Sequence, residues 1–163
     1  MKKIYLLLGS NIGNRFKNIE KAKELVESKI GKISKKSKIY ETEPWGEKEQ
    51  DNFLNQAIEV DSKLKPKALM KQIGEIEQFI GREETYKWGP REIDIDVLFY
   101  GDEMISEVDI TIPHAFIHER LFTLIPLKDI CPNKLHPIFG ATVTELIDMC
   151  EDNCEVLEFK EKD

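Results

Sequence analysis

Residues 93–100 read Ile93-Asp94-Ile95-Asp96-Val97-Leu98-Phe99-Tyr100, an apolar strand interrupted by two carboxylates. Side chains alternate along a strand, so Ile93, Ile95 and Val97 share one face and Asp94 and Asp96 the other, roughly 6.5 Å apart. Two like charges on a mostly buried strand repel and require a partner. Carboxylates at that spacing suit one or two hard cations held against a phosphate chain. A solvated strand face is the other reading, and the spacing alone leaves both open.

Upstream, Ile4 to Leu8 reads as a buried strand ending at Gly9. Ile19, Ala22 and Val26 recur at helical spacing between about Arg15 and Ser28, with Gly31 as the stop. Ile33 to Tyr40 predicts a polar, edge-like strand, and Phe53 to Val60 another. Pro66 opens a helix whose Leu69, Ile73, Ile76 and Ile80 form one stripe, closed by Gly81. Downstream of the quoted strand, residues 118–127 predict a helix stopped at Pro126. Thr142-Val143-Thr144-Glu145 is a capping box before a last short helix. The order strand, helix, strand, strand, helix, strand is that of an α+β, ferredoxin-like antiparallel sheet with helices packed on one face. Length and the lack of a linker or repeat predict a single domain over residues 1–163.

Hydrophobic residues make up 40% and charged residues 34% of the 163, with a net charge of −7. That balance speaks against nucleic acid as a partner, while a few local Arg or Lys residues still permit an anionic small ligand. No apolar run approaches the roughly 20 residues of a membrane span. The start, Met1 to Leu8, is too short an apolar stretch for a signal peptide and runs into Gly9-Ser10-Asn11 and a charged helix. Cys131, Cys150 and Cys154 lack a disulfide spacing and predict reduced thiols in a cytoplasmic protein.

Further features surround the carboxylate pair. Arg82, Lys87 and Arg91 precede it, with Trp88-Gly89-Pro90 among them. Cations beside two carboxylates suit ATP, since metal and arginine neutralise the same polyphosphate; a charged surface loop is the plainer alternative. Gly9-Ser10-Asn11-Ile12-Gly13-Asn14 is equally a loose phosphate loop or a strand-to-helix turn with an Asn cap. His114 follows a short strand carrying Thr111 and precedes Arg120. Phe53 and Asn55 share one strand face, which suits a flat polar heterocycle or, for Phe53, the core.

The sequence resembles 6-hydroxymethyl-7,8-dihydropterin pyrophosphokinases over nearly its whole length. The resemblance rests on Gly9-Ser10-Asn11 with Gly13, Tyr40-Glu41-Thr42-Glu43-Pro44, Phe53-Leu54-Asn55, Glu77 with Gly81-Arg82, Trp88-Gly89-Pro90-Arg91-Glu92-Ile93-Asp94-Ile95-Asp96, Pro113-His114, and Glu119-Arg120-Leu121-Phe122. It implies transfer of diphosphate from ATP to the pterin hydroxymethyl group, giving AMP, in folate synthesis. Asp94 and Asp96 would bind two magnesium ions, and Arg82 and Arg91 would contact the phosphates as catalytic residues. Glu77, Trp88, Thr111, His114 and Arg120 would line the ATP site. Phe53 and Phe122 would stack on the pterin, with Asn55 and the segment holding Thr42, Glu43 and Trp45 at its edge. Loops around residues 43–52 and 82–91 would close and exclude water. The implied partners are ATP and the reduced pterin, with no nucleic acid and no membrane, acting on a monomer. Two departures stand out: Glu83-Glu84 where relatives carry a second arginine, and Asp109 where some carry a basic residue. A metal-dependent phosphohydrolase and a non-catalytic ligand-sensing ferredoxin-like module are the competing classes.

Overall fold

The computed structural model describes residues 1–44, 49–81 and 92–161. In chain order they form β1 (Lys2–Ser10), α1 (Arg15–Lys29), β2 (Gly31–Lys36), β3 (Tyr40–Thr42), β4 (Phe53–Ser62), α2 (Pro66–Ile80), β5 (Asp94–Tyr100), β6 (Ile105–Glu107), β7 (Ile110–Ile112), α3 (Leu121–Ile130), α4 (Val143–Met149) and β8 (Val156–Glu158). A 3-10 turn, Ile117–Glu119, precedes α3.

The main sheet is antiparallel in the order β5-β1-β4-β3-β8, with β2 also paired to β4. The α+β, ferredoxin-like expectation holds for its central strands. Ile4, Leu6 and Leu8 of β1 and Ile95 and Val97 of β5 face one way, into a core with Ile19, Ala22 and Val26 of α1 and Leu69, Ile73 and Ile76 of α2. Burying each Ile, Leu or Val of this core stabilises by about 1.5–3 kcal/mol, which helix propensity alone could not supply.

One expectation is corrected: helices cover both faces. Tyr5, Leu7, Ala57, Leu98 and Phe99 form a second core with Leu124, Leu127 and Ile130 of α3 and Val143 and Leu146 of α4. An extra residue on β5 between the pairs Leu6–Val97 and Tyr5–Phe99 is the local device, since this bulge leaves both Leu98 and Phe99 in the second core.

The predicted strand 33–40 is divided in two. Ser37 breaks it, its hydroxyl taking the Ala57 N–H at 2.9 Å where a ladder carbonyl would otherwise stand. Gly31 starts β2 instead of ending α1; a Cβ there would lie 2.0 Å from the Asp61 carbonyl oxygen, so the close strand approach requires glycine. Gly81 does close α2, with φ 107°. Pro126 does not stop α3. The helix runs through it to Ile130, because burial of Thr123, Leu124, Pro126, Leu127 and Ile130 outweighs one missing N–H. The capping box is present, with Glu145 N donating to Thr142 Oγ1 at 3.1 Å and Thr142 N to Glu145 Oε1 at 3.0 Å. The strand β8 had no recognised signal in the sequence. Among the described residues no helix is long and apolar enough to cross a membrane.

Candidate active site

Among the described residues, the second face of the sheet is only half covered. Leu7, Ala57 and Leu98 lie in the core with α3, but further along the same face the register brings Gly9, Asn55 and Asp94 into one row. Gly9 is the middle strand's residue, paired with Asn55 on one side and Asp94 on the other. A Cβ on Gly9 would lie 2.7 Å from Asn55 Oδ1 and 3.5 Å from the Phe53 ring. Glycine therefore lets the Asn55 amide lie against β1, between strands that carry an amide and a carboxylate about 10 Å apart, two strand spacings.

On the β4 side, Asn55 Nδ2 donates to Thr42 Oγ1 at 2.7 Å, and both side chains are buried. That bond fixes the amide so that its oxygen faces Gly9. Phe53 is half-buried on the same face, two residues away. Phe122, at the start of α3, borders the second core and so belongs to this side of the sheet. Glu43 is exposed, and its carboxylate accepts the Glu155 N–H at 2.7 Å.

On the β5 side, Asp94 and Asp96 are half-buried and share a face, opposite Ile95 and Val97, as the alternation predicted. Their positive counterpart is Arg120, which is 3% exposed. Burial lowers its pKa, and the carboxylates of Asp96 and Asp94 pull it back up. The guanidinium lies over the rings of Phe116 and Phe122, 4.8 and 5.3 Å from their centroids. His114 Nε2 is 4.0 Å from Asp96 Oδ1. Its Nδ1 accepts the Phe116 N–H at 3.2 Å, which puts the hydrogen on Nε2, facing the carboxylate side. Burial, and then Arg120, lower the His114 pKa to about 4. The bulge matters here too: the Leu98 carbonyl accepts the His114 N–H at 3.1 Å and ties this residue beside Asp96.

Glu77, expected near ATP, is 8% exposed, and its Oε2 accepts the Ile95 N–H at 3.0 Å. It thus holds the outer edge of β5 between the two aspartates. Thr111 is exposed on β7, between buried Ile110 and Ile112, and β7 packs against β5 and α2. Trp45, Arg82, Trp88 and Arg91 lie outside the described residues.

The donor set of Asp94 and Asp96, hard oxygens on a half-open face beside a buried cation, fits magnesium with polyphosphate. A model of the 7,8-dihydro-6-hydroxymethylpterin-pyrophosphokinase family matches residues 5–132. The chain belongs to this family. It is therefore an enzyme, an ATP- and magnesium-dependent pyrophosphokinase of folate biosynthesis. The 2-amino-4-hydroxy-6-hydroxymethyldihydropteridine pyrophosphokinase of Aquifex aeolicus is 43% identical over 145 residues, 89% of this chain and 90% of that one. That of Methylorubrum extorquens is 40% identical over 148 residues, covering 90% and 92%. A crystal structure of wild-type Plasmodium falciparum HPPK-DHPS with STZ-DHP shares the fold at 18% identity, with a TM-score of 0.77. That match covers 91% of this chain, which spans only 43% of the longer protein.

Two features of the site escaped the sequence. Phe116 lies under Arg120, and a lone aromatic after Pro113-His114 carries no signal of that. Asn11 donates to Gln50 Oε1 at 2.8 Å and to the Asp51 carbonyl at 3.0 Å, tying the turn after β1 to the chain just before β4. The polar cleft beside it, about 490 Å3, is lined by Asn11, Arg15, Glu41, Gln50 and Asp51 among others. The helix cap in this turn is Asn14, which accepts the Lys17 N–H at 3.0 Å.

Proposed function

We propose that the half-open face of the sheet transfers diphosphate from ATP to the hydroxymethyl oxygen of 6-hydroxymethyl-7,8-dihydropterin, releasing AMP. The row Asn55–Gly9–Asp94 carries this reading. It sets a group suited to a heterocycle edge and a group suited to a magnesium triphosphate on either side of Gly9.

In this reading the pterin stacks between Phe53 and Phe122, with Asn55 oriented by Thr42 to bond its edge. Trp45 and the backbone near Glu43 complete that edge by the family resemblance. Asp94 and Asp96 would hold two magnesium ions, which would supply positive charge to the triphosphate. Arg120 and the Nε2–H of His114 face the same phosphates, and Glu77 keeps the two aspartates in register by holding Ile95 between them. By the family resemblance, Thr111 and Trp88 would line the nucleotide, and Arg82 and Arg91 would contact the phosphates. The pterin oxygen attacks the β-phosphorus. The bond from that phosphorus to the oxygen bridging towards the α-phosphorus breaks, AMP leaves with that oxygen, and the hydroxyl proton passes to water. His114 is not the base, because Nε2 carries a hydrogen and Nδ1 is taken by Phe116. The work of the chain is positioning and charge neutralisation.

Both cores share one sheet, which supports a single domain; a monomer is what the family resemblance implies. The three free cysteines, one of them buried, support a cytoplasmic setting. The test is product analysis with ATP, magnesium and the reduced pterin. AMP should appear one-for-one with pterin diphosphate and only when the pterin is present. Nucleotide hydrolysis independent of the pterin would instead identify a phosphohydrolase.

A further inference from the structure

Residues 152–161 lie beyond the stretch that the family model matches, yet they touch both walls of the pterin subsite. Asp152 Oδ2 accepts the Leu121 N–H at 3.0 Å, at the backbone between Arg120 and Phe122. The same carboxylate acts on the Arg120 guanidinium. Asp152 Oδ1 accepts the Cys154 N–H at 2.9 Å, which turns the segment towards β3. There Glu155 N donates to Glu43 Oε1 at 2.7 Å, and β8 pairs Val156 with Thr42, Leu157 with Glu41 and Glu158 with Tyr40. Phe159 N donates to the Ile39 carbonyl at 2.8 Å, and its ring sits 6.3 Å from that of Phe16.

One ten-residue segment thus grips two elements far apart in sequence. At one end it satisfies an N–H in the first turn of α3, where the helix itself offers no acceptor. At the other it is the outer strand on Thr42, the residue that orients Asn55. We propose that residues 152–161 act as a strap that sets the spacing of the two walls of the pterin subsite, with Asp152 as the positioning residue for Phe122. This rests on the assignment of Phe122 and Asn55 to the pterin.

Steady-state kinetics with both substrates, together with melting temperatures, test it. Asp152→Ala should raise the pterin KM about fivefold, the factor that one such capping bond is worth. Asp152→Asn keeps one oxygen for the Leu121 N–H while its NH2 opposes the Cys154 N–H, so it should relieve the rise in pterin KM only in part. Both variants lose the charge beside Arg120, so any change in ATP KM should be the same in the two. Phe159→Ala releases the far anchor and should also raise the pterin KM. The double variant Asp152→Ala with Phe159→Ala should fall short of the product of the single effects, because both free the same strap. An unchanged pterin KM in folded Asp152→Ala overturns the strap, as does an effect that Asp152→Asn fails to relieve or a double variant that multiplies. Phe122→Ala is the control. If it too leaves the pterin KM unchanged, the stacking assignment fails and takes the strap with it; if Phe122→Ala raises it and Asp152→Ala does not, only the strap fails.

Discussion

The two faces of the central sheet differ in how far their helices reach. Under α1 and α2 the face is apolar along its length, from Ile4 to Leu8 on β1 and from Ile95 to Val97 on β5. Under α3 and α4 it is packed as far as Leu7, Ala57 and Leu98, with the buried carboxylate of Glu59 paired across from Tyr5. Beyond them it turns polar at Asp96, Gly9, Asn55 and Asp94. The same three strands build both faces, so the site has no scaffold of its own. It occupies strand positions whose partners on the opposite face, Leu8, Leu54 and Ile95, hold the strands in place. That arrangement gives charged groups at the rim a rigid backbone without burying them outright.

Adjacent residues of β5 should therefore fail in opposite ways. Asp94→Asn and Asp96→Asn each keep shape and lose a metal-ligand charge. Turnover should fall by several orders of magnitude while the melting temperature stays close to that of the parent. Near-normal activity in either variant at saturating magnesium would erase the functional half of the contrast. Ile95→Ala, one position away, should cost about 2–5 kcal/mol of stability as a core truncation. Denaturant unfolding measures it, and a loss below about 1 kcal/mol would show that the first face is not the packed support described.

Smaller effects sharpen the boundary on the other strands. Phe122→Ala should weaken pterin binding by about 1–3 kcal/mol, the range for a ring stacked on an aromatic, with ATP affinity little changed. Titration calorimetry separates the two ligands, and an equal loss for both would move Phe122 out of the pterin subsite. Gly9→Ala should raise the pterin KM more than the ATP KM, because its Cβ meets the amide oxygen of Asn55, which Thr42 holds in place. Equal rises for both substrates would show that Gly9 serves both subsites alike.

The smallest effect lies on the covered part of the second face. His136 is 2% exposed beside Phe99 and Phe139, and its Nδ1 accepts the Ile138 N–H at 3.2 Å. Burial, then His118 and Lys134, lower its pKa to about 4 from an ordinary 6.5. The fold favours the neutral ring, so this stabilisation is complete above about pH 6.5 and is lost as pH falls towards about 4. The melting temperature should thus drop less for His136→Asn than for the parent between about pH 7 and pH 4.5. Equal drops would assign the acid sensitivity elsewhere.

What was legible in the sequence follows from these forces. The period of Leu69, Ile73 and Ile76 and the alternation of Asp94 with Ile95 report one-sided burial, and both elements stand where expected. The second layer was not legible. The helix α3 is apolar on most sides, so its pattern does not say which surface it covers, and Pro126 suggested a stop that packing overrides. Asn55 and Asp94 were each visible as polar residues in strands. Their meeting across Gly9 depends on the pairing order β4-β1-β5, which no local pattern encodes. The hold of the Glu77 carboxylate on the Ile95 backbone was equally beyond any local pattern.

The central claim is that the pterin oxygen, held by one part of this face, attacks the β-phosphorus held by the other. The direct measurement uses pterin carrying heavy oxygen in its hydroxymethyl group, with ATP and magnesium, and mass analysis of both products. The account predicts that all of the label remains in the bridge between the pterin carbon and the β-phosphorus, and that AMP carries none. Label lost to solvent, or recovered in AMP, would contradict it.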